Sequence, residues 1–111
     1  MITGIYSVNI GSTLGIVASG LAVVENGKIH GGDFSYFYRG TYSTEGNSIN
    51  AKIEVSHYQG PINSIFGQVK QFNLNLSGFI SGTSFEASGN VVENAQLKVI
   101  IEGRKVAELI A

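Results

Sequence analysis

The side chains that could do chemistry are few: two histidines, one aspartate, seven glutamates and no cysteine. A catalytic triad needs a nucleophile beside a base and an orienting acid, and His57, Asp33 and one of the serines supply those types. No serine, however, lies in a nucleophile-elbow sequence. The histidines and acids also lack the spacing of metal ligands. We therefore expect no catalytic residue, no metal site and no cofactor, and thus a protein that is not an enzyme.

The charge of the chain argues against two classes of partner. Seven basic residues against eight acidic ones give a net charge of -1, and only 14% of the residues are charged. Such a chain has no broad positive field for nucleic acid or anionic lipid, so we expect neither partner. The start of the sequence lacks the pattern of a signal peptide, and the absence of cysteine fits a reducing compartment. We expect a cytoplasmic protein with one domain over residues 1–111.

Apolar and polar residues alternate along most of the sequence, which predicts β-strands. β-branched and aromatic residues are abundant, as strands favour. The predicted strands cover 4–10, 14–24, 29–43, 49–58, 70–81 and 84–91, with a last strand that ends near Glu102-Gly103. The alternation is lost around Pro61, so residues 59–68 are expected to form a loop with a short helical turn that plugs one end of the core. Residues 104–111 are expected to extend the last strand or form a short helix.

Glycine-rich dipeptides mark the turns. Asn26-Gly27 between two apolar runs predicts a type I′ hairpin turn. Gly31-Gly32 predicts a bulge, a kink or a short loop, and Asp33 is expected to bond its own downstream backbone as an Asx-type turn. Further turns are predicted at 45–47, 81–83 and Glu93-Asn94. The count is seven strands, or eight if the Gly31-Gly32 break separates two.

Short connections predict an antiparallel meander, and a meander without a covering helix must close or pair face to face. The fold class is therefore all-β, with a small antiparallel up-and-down β-barrel of seven to eight strands as the favoured architecture. A β-sandwich of two short sheets is the alternative.

An aromatic stripe follows the glycine pair. Phe34, Tyr36, Tyr38 and Tyr42 fall on one face, which predicts that they line the barrel. Buried phenols need hydrogen-bond partners, so Tyr36, Tyr38 and Tyr42 are also candidates to line a ligand cavity. Small residues on the inward faces would add volume to such a cavity: Ala18, Gly20, Ala22, Ala51, Gly78 and Ala87.

Other large residues share faces with polar ones and are expected on the outside of the barrel. Phe37, Phe79 and Ile100 are the candidates for an exposed protein-contact patch. Arg39, beside Phe37, is a further contact candidate or a member of a surface ion pair.

The segment Asn26-Gly27-Lys28-Ile29-His30-Gly31-Gly32-Asp33, the following Tyr36-Phe37-Tyr38-Arg39-Gly40-Thr41-Tyr42 and the initial Gly4-Ile5-Tyr6-Ser7-Val8 carry a resemblance. Together they resemble the GrlR-like family of negative regulators of bacterial type III secretion, repressors of the locus of enterocyte effacement. The likeness covers nearly the whole chain in length and strand order, and it is most specific in the first two segments.

The resemblance implies a lipocalin-like barrel that is dimeric, has no catalytic activity and sequesters a transcriptional activator of the helix-turn-helix class. The founding regulator has an acidic run in the turn after the aromatic strand, where this chain has only Glu45 between residues 43 and 47. Glu45 is therefore included among the partner-contact candidates.

Two functions from different classes follow. The first is a non-enzymatic protein-interaction module that resembles these negative regulators. The second is a carrier of a small apolar ligand inside the barrel, because a barrel of about eight strands leaves room for one such ligand.

Overall fold

Eight antiparallel strands make up the computed structural model, which describes residues 2–15, 17–62 and 69–110 and contains no helix in those ranges. The strands are β1 Gly4–Ser12, β2 Val17–Glu25, β3 Lys28–Gly32, β4 Tyr36–Glu45, β5 Ser48–His57, β6 Gln71–Ser81, β7 Ser84–Val91 and β8 Asn94–Ala107.

Each strand pairs with the next one along the chain, and β1 also pairs with β8, which closes the barrel. This closure confirms the predicted up-and-down barrel and excludes the sandwich. No helix of sufficient length and apolar character to cross a bilayer occurs in the described part of the chain.

The core lies inside the barrel and is made by every second residue of the strands. Ile49, Ile53 and Val55 of β5 are buried, as their alternation predicted. Tyr6, Leu74 and Val99 are the largest side chains that are fully enclosed. The inward faces of successive strands therefore supply the core. This is expected of a barrel of eight strands, because its interior is just wide enough for side chains to fill.

The hairpin turns follow from residues that tolerate positive φ. Asn26 and Gly27 have φ values of 53° and 76°, the combination that a type I′ turn requires, so this prediction is confirmed. The β4–β5 and β6–β7 turns each place a glycine first, with φ of 60° at Gly46 and 62° at Gly82. Glycine at that position suits a type II′ turn.

Several predicted strand limits and one predicted turn differ from the structure. β2 begins at Val17 rather than Leu14, because the chain turns at Gly15, whose φ is 78°. The last strand runs past Glu102-Gly103 to Ala107, because both neighbouring strands continue to pair with it, which confirms strand extension, one of the two alternatives predicted for residues 104–111. The β7–β8 turn lies at residues 92–93, one residue before the predicted position, since Val91 pairs with Asn94.

Two further corrections concern the segment after the glycine pair. Gly31 and Gly32 are regular residues of β3, and the chain breaks only after them, which gives eight strands. Phe34 does not line the barrel with the tyrosines: it precedes β4 and its side chain is 77% exposed. The predicted helical turn within 59–68 falls largely on residues 63–68, which lie outside the described residues.

Candidate functional site

The turn between β3 and β4 is organised by the carboxylate of Asp33. Its Oδ1 accepts hydrogen bonds from the backbone N–H groups of Ser35 and Tyr36, at 2.9 and 2.8 Å. Its Oδ2 accepts one from the Tyr38 hydroxyl at 3.0 Å. The first of these bonds is the predicted Asx turn. One aspartate therefore joins the turn backbone to a side chain inside the barrel.

The glycine pair allows the backbones to approach closely beside this turn. A β-carbon on Gly31 would overlap the carbonyl oxygen of Leu21. A β-carbon on Gly32 would lie 2.6 Å from the carbonyl oxygen of Tyr36. Any larger residue would force β2 or β4 away. Gly31 and Gly32 thus allow β2, β3 and β4 to pack closely together.

The chain that follows β5 fastens the other side of the turn. The Tyr58 hydroxyl donates to the Asp33 carbonyl at 2.6 Å, and the Tyr58 N–H donates to the Ser35 carbonyl at 2.9 Å. The Gln59 side-chain amide donates to the Phe34 carbonyl at 3.1 Å. These bonds satisfy the backbone around Phe34 on both sides, so its ring projects outward from an ordered turn.

Three aromatic side chains meet solvent here, and we call Phe34, Phe37 and Tyr58 the aromatic cluster. The Phe37 and Tyr58 rings are 6.2 Å apart with an interplanar angle of 48°. The Arg39 guanidinium lies 6.0 Å from the Phe37 ring centre, within cation–π range. Tyr58 is 49% exposed, and Phe34 is more exposed still. Phe37 and Tyr58 therefore form an aromatic pair with one cation at its border, and Phe34 projects from the adjoining turn.

Arg39 also forms the surface ion pair that was one of its two predicted roles. Its Nε lies 3.3 Å from Glu54 Oε1, across the β4–β5 pairing. The Arg39 side chain remains 61% exposed, so the pair is screened by water and holds the guanidinium in place only weakly. Arg39 remains accessible to a partner.

The predicted tyrosine lining is found inside the barrel. Tyr36 and Tyr38 are buried, and Tyr42 is half-buried against the core. The Tyr36 hydroxyl donates to the Val69 carbonyl at 2.6 Å, while that of Tyr38 donates to Asp33. Burial of a phenol hydroxyl without a hydrogen-bond partner is costly, and the buried hydroxyls of Tyr36 and Tyr38 each have an acceptor.

Burial raises the pKa of the Tyr38 hydroxyl, and the adjacent Asp33 carboxylate raises that pKa further by opposing a second negative charge. Tyr38 therefore stays a neutral donor to Asp33 at any physiological pH. The pKa of Tyr6 is also raised, first by burial and then by Glu108 and Tyr42.

The barrel interior contains an apolar cavity of about 70 Å³. Tyr38, Ile53, Leu74, Phe85 and Ile101 are among its walls. Aromatic rings take part of the space that small residues leave. The Tyr38 hydroxyl lies where a side chain on Gly20 would be, and the Phe85 ring covers Gly103. The interior is thus nearly filled.

Strand pairing places the partner-contact candidates in two groups. Phe37 and Arg39 belong to the aromatic cluster and its border. Glu45 lies at the other end of β4, about 27 Å along the strand from Phe37. There Glu45 pairs with Ser48, which pairs with Phe79, so Glu45 and Phe79 share one row of the outer surface.

Ile100 is exposed on β8, opposite Ser88 of β7. It lies on the same side of the barrel as Phe79, with β7 between them. The outward orientation predicted for Phe37, Phe79 and Ile100 is correct, but the three do not form one patch.

The residues that could have formed a triad are engaged elsewhere. A ring nitrogen of His57 lies 2.8 Å from the Gly60 carbonyl oxygen, and the His57 ring packs edge-on to Tyr36. The Asp33 carboxylate binds the β3–β4 turn and Tyr38. Within residues 2–15, 17–62 and 69–110, no three histidine or acidic side chains are grouped so that they could hold a metal ion.

Sequence reasoning missed Phe34 as a surface residue, because Phe34 continues the alternation of β4 and so appeared to face inward. Tyr58 alternates with the buried residues of β5, which predicts an outward side chain, and this prediction is confirmed. The only signal for Phe34 was Asp33, because an Asx turn at that point interrupts the strand.

Comparison with known proteins supports the fold. No protein-family model and no curated protein matches the chain. Among solved structures, a redesigned β-barrel, b11L5F_LGL, superposes with a TM-score of 0.68 at 11% sequence identity. The match covers 94% of this chain and 90% of the designed one. At that identity the likeness concerns the barrel fold alone.

Proposed function

We propose that this barrel is a non-enzymatic protein-interaction module that sequesters a transcriptional activator of the helix-turn-helix class, as the negative regulators of type III secretion that it resembles do. The observation that supports the proposal is the aromatic cluster. Phe34 stands on the outside with 77% of its side chain exposed, at a turn held by side-chain hydrogen bonds.

The composition of the cluster favours protein contact. Aromatic residues and arginine are enriched at the centres of protein interfaces, where they contribute most of the binding energy. Phe37, Tyr58 and Arg39 supply these types in mutual contact, and Phe34 adds another on the adjoining turn. Burial of Phe34 against a partner would remove a large apolar side chain from water, worth about 1.5–3 kcal/mol.

The order of the turn lowers the cost of binding. Asp33 and Gln59 fix the backbone on both sides of Phe34 before any partner arrives. A partner therefore does not have to immobilise this loop, which would otherwise consume part of the interaction energy.

We assign the activator contact to the aromatic cluster rather than to the β4–β5 turn. That turn carries only Glu45 where the founding regulator has an acidic run, and Glu45 lies at the opposite end of β4. The resemblance also implies a homodimer, so the proposal includes two copies per complex. Light scattering in solution measures that mass.

The carrier of a small apolar ligand is the second candidate, and the observation in its favour is the apolar interior cavity. Its volume of about 70 Å³ is less than half of the roughly 150 Å³ of a protein cavity that binds benzene. A fatty acid or sterol would have to displace core side chains. Native mass spectrometry of the purified protein, and thermal shifts with these lipids, test the carrier directly.

The main experiment is affinity capture from a lysate of the source cell, with identification of the recovered proteins. We expect the wild-type chain to recover a helix-turn-helix activator. The Phe34→Ala/Phe37→Ala variant is expected to recover at least about tenfold less of this activator. Val17→Ala is the matched control, because Val17 is 73% exposed on the outer face of β2. Recovery of no such activator, or equal recovery by the aromatic variant, refutes the proposal.

A further inference from the structure

A second surface feature lies on the other side of the barrel, where β6, β7, β8 and β1 form a groove of about 640 Å³. We call it the acidic groove. It is separate from the aromatic cluster, which belongs to β4 and to the ends of β3 and β5. The outward side chains that line it are Ser7, Asn9, Phe79, Ser81, Ser84, Glu86, Glu102 and Arg104.

The strand register explains why this surface is concave. One row across the four strands is Phe79, Glu86, Glu102 and Asn9, and the next row is Ser81, Ser84, Arg104 and Ser7. Three members of the second row are serines, which rise little above the sheet. The larger side chains of the first row therefore form a wall beside a low floor.

Phe79 is the apolar part of that wall. Its side chain is 69% exposed, and it pairs with Glu86 on β7. An exposed phenylalanine beside the concave polar floor offers an apolar contact to a partner, and aromatic residues are enriched at protein interfaces.

The charges of the groove identify the kind of partner. Glu86 and Glu102 are directly opposite each other on β7 and β8, and both are exposed. Like charges directly opposite on neighbouring strands repel. Within the described part of the chain, neither carboxylate has an ion pair or a side-chain hydrogen bond. Arg104 in the next row supplies one guanidinium to the groove against these two carboxylates, so the side chains that line the groove carry a net negative charge.

The size of the groove suits a helical partner. Its volume of about 640 Å³ accommodates one face of an α-helix of about 10 Å diameter. A cation between Glu86 and Glu102 would relieve their repulsion, and an apolar side chain three or four residues away on the helix would reach Phe79.

We propose that the acidic groove binds a basic amphipathic helix of a protein partner, with a lysine or arginine between Glu86 and Glu102 and an apolar side chain against Phe79. The inference rests on the proposed role as a protein-interaction module and adds a second contact surface with a defined chemistry.

The test uses two synthetic peptides with the same helical pattern, one of leucine and lysine and one of leucine and glutamate. Isotope-labelled full-length protein is titrated with each peptide and observed by nuclear magnetic resonance. We expect the lysine peptide to shift the backbone amides of residues 79, 86 and 102 and the glutamate peptide to leave them unchanged. Shifts confined to other residues, or no shifts, overturn the inference.

Variants sharpen the result. Glu86→Lys and Glu102→Lys are each expected to weaken the lysine peptide at least tenfold, and Phe79→Ala severalfold. Glu25→Lys is the control, since Glu25 is an exposed carboxylate on β2, outside the groove. If Glu25→Lys weakened peptide binding equally, the loss of affinity would depend only on the net charge of the protein, and the inference would be overturned. Chemical-shift spectra of each variant without peptide verify the fold.

The outcome is distinguishable from that of the proposed function. If the lysine peptide binds in the groove but no helix-turn-helix activator is captured, the groove stands and the assigned role falls. If the activator is captured equally well by wild type and by the Glu86→Lys/Glu102→Lys variant, and the peptide causes no shift, only the groove inference falls.

Discussion

Gly20 of β2 leaves the space that the Tyr38 hydroxyl occupies: a β-carbon at residue 20 would lie 2.9 Å from that oxygen and 2.8 Å from the carbonyl oxygen of Gly32. The phenol can reach Asp33 only because this position carries no side chain. Gly20 is therefore part of the arrangement that holds the aromatic cluster, although it lies inside the barrel.

Gly20→Ala is expected to lower the free energy of unfolding by about 1–3 kcal/mol, because the new methyl group must displace Tyr38 or the backbone of β3. Urea denaturation measures the change. Gly11→Ala is the matched control, since no atom lies within 4 Å of a β-carbon at Gly11, and its effect is expected within about 0.5 kcal/mol. Equal losses in the two variants contradict the packing argument.

Substitution can distinguish the roles of the two carboxylate oxygens of Asp33. Asp33→Ala leaves two backbone donors and the Tyr38 hydroxyl without their acceptor, and is expected to cost about 1–3 kcal/mol. Asp33→Asn keeps the acceptor of the turn and is expected to cost less. Thermal unfolding ranks the variants. An asparagine variant as unstable as the alanine variant would show that charge, rather than the turn hydrogen bonds, stabilises this region.

Alkaline pH is expected to destabilise the barrel through Tyr38. Burial and Asp33 raise the pKa of this hydroxyl in the folded state above its ordinary value of 10.0. Below that pH both the folded and the unfolded chain keep the proton. Above it the unfolded chain loses the proton first, so the free energy of unfolding falls, by up to about 1.4 kcal/mol per pH unit for one group.

Urea denaturation at a series of alkaline pH values measures this slope. Tyr38→Phe is expected to flatten it without abolishing it, because the pKa of Tyr6 is raised as well. An unchanged slope in Tyr38→Phe would exclude Tyr38 as the titrating group.

The opposition of Glu86 and Glu102 is expected to cost stability in the absence of a partner. Glu86→Gln should raise the free energy of unfolding by about 0.2–1 kcal/mol at low salt, and added salt should reduce the gain. A double-mutant cycle with Glu102→Gln isolates the repulsion. A coupling energy of zero would mean that water and ions already screen the pair.

The fold could be predicted where local residues determine it. Asn26-Gly27 specifies its own turn through positive φ, and the alternation of Ile49, Ile53 and Val55 specifies which face of β5 is buried. Barrel closure followed from the strand count and the lack of a covering helix. These features depend on neighbours in the sequence or on the pattern as a whole.

The surfaces could be predicted only in part, because they depend on distant residues. Phe34 is turned outward by hydrogen bonds to the chain after β5, which no local periodicity reports. The opposition of Glu86 and Glu102 depends on the β7–β8 register, which shifts at Asn90 and Val91. Strand extension over residues 104–111 was one of two alternatives, and the choice depends on the pairing of β8 with β1 and on the acceptor that Thr83 offers to the Lys105 N–H.

Seven of the eight strand pairings join segments that follow each other, so each can form as a hairpin early in folding. The pairing of β1 with β8 instead joins opposite ends of the strand order, and its loop-closure entropy must be overcome before any hydrogen bond forms. This seam is therefore the natural last step of assembly. The acidic groove crosses the β1–β8 seam, so a helix bound there would contact both strands and stabilise the closed barrel.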